Sequence, residues 1–336
     1  MTVTRRRTLA LMGAAAAAHA APALAQGTPL KVGALRFTSH APTFIAIERG
    51  YFAEAGFDVE PVFFQAAQPM AVAIASGDVD YAMTAISGGL INLAEKGAIK
   101  VIGGALTEEA GIPGQAILVS DAAFQDGVTS PAQLGGRRFG MSTAGSSFHY
   151  MGARIAEAEG IEMEFVPLQK VPAIIGALKT GQVDAWSIVP HIAAGLAAGP
   201  EVHEIGKVAD YLPGYQVTTV FTSTENAADR ERTQAFLDAL SRGIADYNAA
   251  MIEKTDGEAG VDEMAALLAP YVYPDRTPEE ARGPIVAGTM RINEGAALNL
   301  DSIRDQLAWF QSEGLVDGGI TLDQLVDQSY VEMAGS

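Results

Sequence analysis

Two short stretches decide the architecture: Ile74-Ala75-Ser76-Gly77-Asp78-Val79-Asp80-Tyr81 and, beginning 104 residues later, Leu178-Lys179-Thr180-Gly181-Gln182-Val183-Asp184-Ala185. Each closes a helix-length apolar segment, places a glycine after it, and opens a new apolar run with Val-Asp. Glycine reaches the left-handed conformation that ends a helix without a steric penalty. A short branched run behind such a cap reads as a buried strand. The recurrence predicts equivalent helix-to-strand joints in two similar α/β halves.

Outward from these joints the chain alternates. Strands are expected at 30–37, 57–64, 79–83 and 100–105, then again at 115–120, 138–142, 163–168, 183–188 and 217–223, with helical segments between most of them. Strands separated by helix-length segments imply parallel βαβ units with right-handed crossovers. From residue 229 the pattern turns helical, at 229–253, 257–269, 277–290, 301–313 and 321–333. No Pro- or Ser-rich linker parts the halves, which points to strands rather than a flexible tether as the connection.

Composition narrows the function. The 336 residues are 49% hydrophobic and 18% charged, the balance of a globular chain with room for about two domains at ~150 residues each. The absence of cysteine excludes disulfides, thiolate metal sites, iron–sulfur clusters and a lipoprotein anchor. A formal charge of −18 repels phosphate backbones and anionic headgroups, so neither nucleic acid nor a membrane surface is an expected partner.

The first 25 residues read as an export signal: Arg5-Arg6-Arg7, an apolar run from Leu9 through the alanines 14–18, and the small-residue site Ala23-Leu24-Ala25 before Gln26. Thr4-Arg5-Arg6-Arg7-Thr8-Leu9 resembles the twin-arginine form used for folded cargo, with an ordinary secretory signal as the other reading. Cleavage near Ala25/Gln26 removes three arginines and no acid, leaving 19 basic against 40 acidic residues, a mature charge of −21. An acidic periplasmic protein is expected.

The run from His40-Ala41-Pro42 through Ala46, Gly50-Tyr51-Phe52 and Gly56 to Val59 resembles the opening of the periplasmic solute-binding proteins of ABC importers. The branch is the one serving alkanesulfonates, taurine, nitrate and thiamine pyrimidine precursors. Three further stretches agree in order: 75–80, 134–140 and 177–185. So does the tail at 307–316. The resemblance runs from about Leu30 to Met333. It implies a two-lobed periplasmic-binding-protein fold of type II, with a hinge of two crossing strands and a helical C-terminal tail packed on the first lobe. The lobes would be residues 28–115 with 220–336, and residues 116–219. It also implies a monomer that captures a small-molecule ligand by hinge closure and presents it to the permease subunits of the inner membrane, with no cofactor and no catalysis. Thiamine pyrimidine synthases share the opening stretch, but they carry a cysteine-rich segment and no export signal.

Ligands bind between domains and at the carboxyl ends of parallel strands, so the candidate site can be read from strand ends. Arg36, Phe37, Ser39 and His40 follow the first strand and Gln65 the second. Thr84, Ala85, Ile86 and Ser87 follow the third, and Glu108 the fourth. In the second half Ser142, Thr143, Ser146, Ser147, Phe148 and His149 follow the 138–142 strand. Trp186 ends the 183–188 strand, and His191 lies one turn into the next helix. The serines at 146 and 147 either cap their own helix or hold an anion at its positive end. Trp186 and Phe37 either sandwich a planar ligand body or pack in the core. Arg36 either meets the ligand or pairs with Glu108 or Glu109. Trp309 is expected far from the cleft. Glu108 and Glu109, if they faced the cleft, would favour a neutral or cationic heterocycle over the organic anion, a sulfonate or a carboxylate, that the helix terminus favours. The histidine spacing does not suit a metal, and no nucleophile elbow, dinucleotide loop or phosphate loop is present.

Overall fold

The computed structural model describes residues 27–330. The export signal and its cleavage site lie outside them. The described residues form ten strands: β1 (Thr28–Ala34), β2 (Phe57–Phe63), β3 (Tyr81–Ala85), β4 (Ile99–Gly104), β5 (Ala116–Ser120), β6 (Arg138–Met141), β7 (Glu164–Pro167), β8 (Ala185–Ile188), β9 (Val202–Lys207) and β10 (Thr218–Ser223). They form two five-stranded sheets, in the orders β2-β1-β3-β10-β4 and β7-β6-β8-β5-β9. This is the α/β architecture of two similar halves.

The quoted joints are equivalent bond for bond. Gly77 and Gly181 sit at φ 79° and 70°. The N–H groups of Asp78 and Val79 donate to Ala73 O, and those of Gln182 and Val183 to Ala177 O. The Asp80 carboxylate accepts from Lys31 N of β1 at 2.8 Å, and the Asp184 carboxylate from Arg138 N of β6 at 2.8 Å. Each aspartate therefore pins the start of one strand to its parallel neighbour.

The sheets are mixed rather than parallel throughout. β10 runs antiparallel between β3 and β4, and β5 antiparallel between β8 and β9. A strand arriving from the other half enters its sheet from the opposite end, which reverses its sense. β9 was missed because its outer residues, His203, Glu204 and Lys207, give a polar edge without clean alternation.

The C-terminal region departs from expectation in three places. The helix expected at 257–269 runs on as Gly257–Val272 past Pro270. The last expected helix reduces to Leu322–Leu325, after which buried Val326 pairs in parallel with Val101 on the outer strand of the first sheet. The C-terminal helices also reach the second half. Trp309, on the helix Leu300–Ser312, packs edge-on to His149 and Tyr150 at 5.3 and 5.2 Å. There it braces the helix Ser147–Glu159.

The two chain crossings meet as a short ladder. Thr107 pairs antiparallel with Gln216, and Val217 N donates to Leu106 O at 2.9 Å. Gln216 is fully buried. Its Nε2 donates to Leu106 O and Thr218 O, while its Oε1 accepts from Asn293 Nδ2 and Asn299 N. Its backbone N–H and C=O are taken by Ser302 and Gln306. Gln216→Ala strands several buried partners at once and is expected to lower stability by roughly 3 kcal/mol. Urea unfolding followed by circular dichroism measures this, and a loss under about 0.5 kcal/mol would show the network to be dispensable.

Candidate functional site

The carboxyl ends of β1, β2 and β3 face the ends of β6 and β8 across two adjoining cavities. The inner one is about 50 Å³ and the outer about 530 Å³, and Leu35, Phe37 and Val171 line both.

The inner cavity is mainly apolar, with uncharged polar residues set into it. From the first half come Ser39, His40 and Thr84. From the second come Ser142, Ser146 and Ser147, and from the crossings Gln115, Val217 and Thr218. Gly145, at φ 73°, turns the chain so that Ser146 caps the helix Ser147–Glu159, its hydroxyl accepting from His149 N at 3.3 Å. The first N–H groups of a helix have no acceptor within it, and they carry its partial positive charge. His40 Nδ1 accepts from Leu35 N at 3.3 Å, which leaves Nε2–H as the donor of that ring. Burial, with His191 nearby, lowers the His40 pKa to about 3. Burial, opposed by a backbone hydrogen bond at Arg36, lowers His191 to about 3 as well. Both rings are therefore neutral at physiological pH. Gln115 is 2% exposed, and its Nε2 makes no hydrogen bond of normal geometry, the Glu108 carboxylate beside it accepting instead from the Gln115 backbone N–H. A buried unmet donor costs about 1–3 kcal/mol, so this amide is poised for an acceptor brought from outside.

The outer cavity is aromatic and basic. Arg36, Phe37, Gln65 and His191 line it with Phe63, Phe64, Tyr273 and Arg276. His191 Nδ1 lies 3.0 Å from Thr38 Oγ1, and Thr38 donates to Gly288 O, so this corner is tied to the C-terminal region. Gln65 O accepts from Val171 N across the cleft.

Nine of the fifteen candidate residues thus line one cavity or the other; six do not. Ile86 is core, 1% exposed, and Ser87 caps the helix Gly88–Glu95 through Leu90 N. Thr143 sits in the turn before the long helix, its carbonyl accepting from Ser146 N. His149 points to Phe165 and Trp309, its Nδ1 accepting from Gly145 N. Trp186 is fully buried against Phe148 and lines neither cavity. Glu108 folds back onto the crossing and accepts from Gln115 N at 3.0 Å. A side chain at Gly114 would overlap the Glu108 carboxylate. Neither acid pairs with Arg36: Glu109 is bridged to Arg291 at 3.2 Å, while Arg36 donates to Tyr271 O at 2.7 Å.

The sequence reading overlooked Gln115, Tyr273 and Arg276. Gln115 was legible as the residue entering a crossing strand. The other two follow a helix that the reading ended at residue 269, before Pro270.

Burial raises the Glu108 carboxyl from 4.5 to about 7, against the pull of the Gln115 hydrogen bonds. The folded state therefore holds this proton more tightly than the unfolded one. Its contribution to stability is full below about pH 4.5 and is lost as pH rises to about 7. Glu108→Gln keeps an acceptor and removes the titration. Relative to the parent it is expected to gain roughly 3 kcal/mol between pH 4.5 and 8. Unfolding curves at the two pH values measure the gain, and parallel pH dependence in both proteins contradicts it.

Comparison with known proteins places these observations. Residues 37–250 match the family model described as NMT1/THI5 like. A search of curated proteins by sequence finds no match. Among solved structures, the chain is similar to the Candida albicans CA3427 gene product, described as having the generic periplasmic binding protein fold. The TM-score is 0.69 at 21% identity, over 92% of this chain and 99% of that one. It is similar to the alkanesulfonate-binding protein SsuA from Xanthomonas axonopodis pv. citri bound to MOPS, with TM-score 0.69 at 17% identity over 90% and 99% of the two chains. It is also similar to the periplasmic nitrate-binding protein NrtA from Synechocystis, with TM-score 0.67 at 14% identity over 89% and 84%. The fold is that of the periplasmic binding proteins, as the sequence resemblance implied.

Proposed function

The chain belongs to the NMT1/THI5-like family, and from that premise we propose that it is the extracytoplasmic solute-capturing component of an ABC importer, holding a small organic anion between two lobes. One lobe comprises residues 28–115 with 220–336 and the other residues 116–219, hinged at the paired crossings. The export signal delivers it to the periplasm, where it works as a monomer and passes its cargo to a membrane permease. The solved structures it resembles include proteins named for binding alkanesulfonate and nitrate, which supports an importer role and an anionic cargo.

The observation that carries the ligand reading is the unmet Nε2 of Gln115 in a buried cavity. Around it stand a helix N-terminus, four serines and a neutral imidazole, all able to donate to an oxyanion. Of the acids that could have favoured a cationic or neutral heterocycle, Glu109 is bridged to Arg291, and Glu108 accepts from the Gln115 backbone N–H and lines neither cavity. The mechanism is capture without chemistry. Solute binds one lobe, the other closes, and the dry contact lets each donor count for more than it would in water. The Ser146 hydroxyl is committed to its cap, and a chain without cysteine has no thiol nucleophile.

A thermal-shift panel of alkanesulfonates, aromatic carboxylates, nitrate, aminopyrimidines and polyamines tests this. Saturating anion is expected to raise the melting temperature by several degrees, as binding at a hundred times Kd adds about 2.7 kcal/mol. Gln115→Leu is expected to lose most of that rise. Stabilisation by the aminopyrimidines or polyamines alone rejects the anion. Small-angle scattering with the stabilising ligand checks the hinge, and an unchanged radius of gyration rejects closure.

A further inference from the structure

The acidic balance of the chain makes a free guanidinium conspicuous. Nine of the twelve described arginines lie within 4 Å of a carboxylate. Of the other three, Arg230 donates to Ser329. The remaining two, Arg36 and Arg276, line the same outer cavity. Aromatic faces rather than acids hold them in place: the Arg36 guanidinium lies 3.8 Å from the Phe63 ring centre, and that of Arg276 lies 4.6 Å from that of Tyr273. A tyrosine carbonyl takes one Arg36 N–H. Burial also lowers the Arg36 pKa, opposed only by the more distant Asp275. With acids so abundant, two cations left without one beside a cleft point to a negative charge supplied by the ligand.

The inner and outer cavities share the apolar neck of Leu35, Phe37 and Val171. We infer that the cargo is an organic dianion with an apolar or planar spacer, such as a dicarboxylate or a sulfocarboxylate. One acid group sits on the neutral donors around Gln115, the spacer passes Phe37, and the second acid group meets Arg36 and Arg276. This deepens the anion reading given above and rests on it.

The test compares matched acids by isothermal titration: benzoate with 1,4-benzenedicarboxylate, benzenesulfonate with 4-sulfobenzoate, and hexanoate with hexanedioate. In each chemical class that binds, the diacid is expected to bind at least tenfold tighter than its monoacid. Arg276→Gln, and the double variant with Arg36→Gln, are expected to cost the diacid at least tenfold more affinity than they cost the monoacid. Equal affinity for mono- and diacids, with monoacid binding still lost in Gln115→Leu, overturns the dianion and spares the anion reading. So does a double variant that weakens both acids equally. Failure of every acid to bind the parent protein overturns both.

Discussion

The arrangement depends on one buried amide. Gln216 stands where the chain returns from the second half, and its side chain bonds the outgoing crossing at Leu106, the returning one at Thr218 and the C-terminal segment at Asn293 and Asn299. Two antiparallel crossings alone would be a narrow ribbon, free to twist. Tied to a third segment through a buried hydrogen-bond network, they gain a defined path, because alternatives leave further buried polar groups unmet. Gln115 and Val217, both on the crossings, line the inner cavity, so the same network fixes the cavity floor.

Much of the fold was legible because its signals are local. Helix-ending glycines, the Val-Asp joints and alternating apolar runs are consequences of neighbouring residues, and they placed nine of the ten strands. The edge strand β9 and the short last helix were not legible, since a polar edge has no apolar period and the pairing of Val326 with Val101 is a tertiary event. The site was half legible for a related reason. Strand ends identify which loops face the cleft but not which side chains do. Ser87 and Ser146 are both helix caps, yet only Ser146 lines a cavity. His40 and His149 each accept a backbone N–H on Nδ1, yet only His40 does. Residues brought from far away, such as Tyr273 and Arg276, leave no trace in the local pattern.

The cleft separates two kinds of electrostatics. Its inner part carries no formal charge: the His40 imidazole is held neutral by burial, and the donors are hydroxyls, an amide and a helix end. Dipoles of this kind need no counter-ion and cost little to keep dry, whereas a buried unpaired cation would cost several kcal/mol. The guanidiniums stand where water still reaches. An acidic exterior lowers the long-range attraction for anions, an effect screened over ~10 Å at 0.1 M salt, so recognition is left to short-range contacts.

The placement of β10 has a consequence for how the molecule is made. β5 to β9 follow one another along the chain, so the second sheet can close as soon as residue 207 is available. The first sheet cannot. β3 and β4 are finished early in synthesis but do not pair with each other, and both wait for a strand at 218–223. Until it arrives each presents an unpaired backbone edge, the geometry that recruits other chains. The slow, long-range step is therefore the insertion of a single strand between two that precede it by more than a hundred residues. A chaperone that shields those edges until synthesis passes residue 223 would raise the yield of native protein.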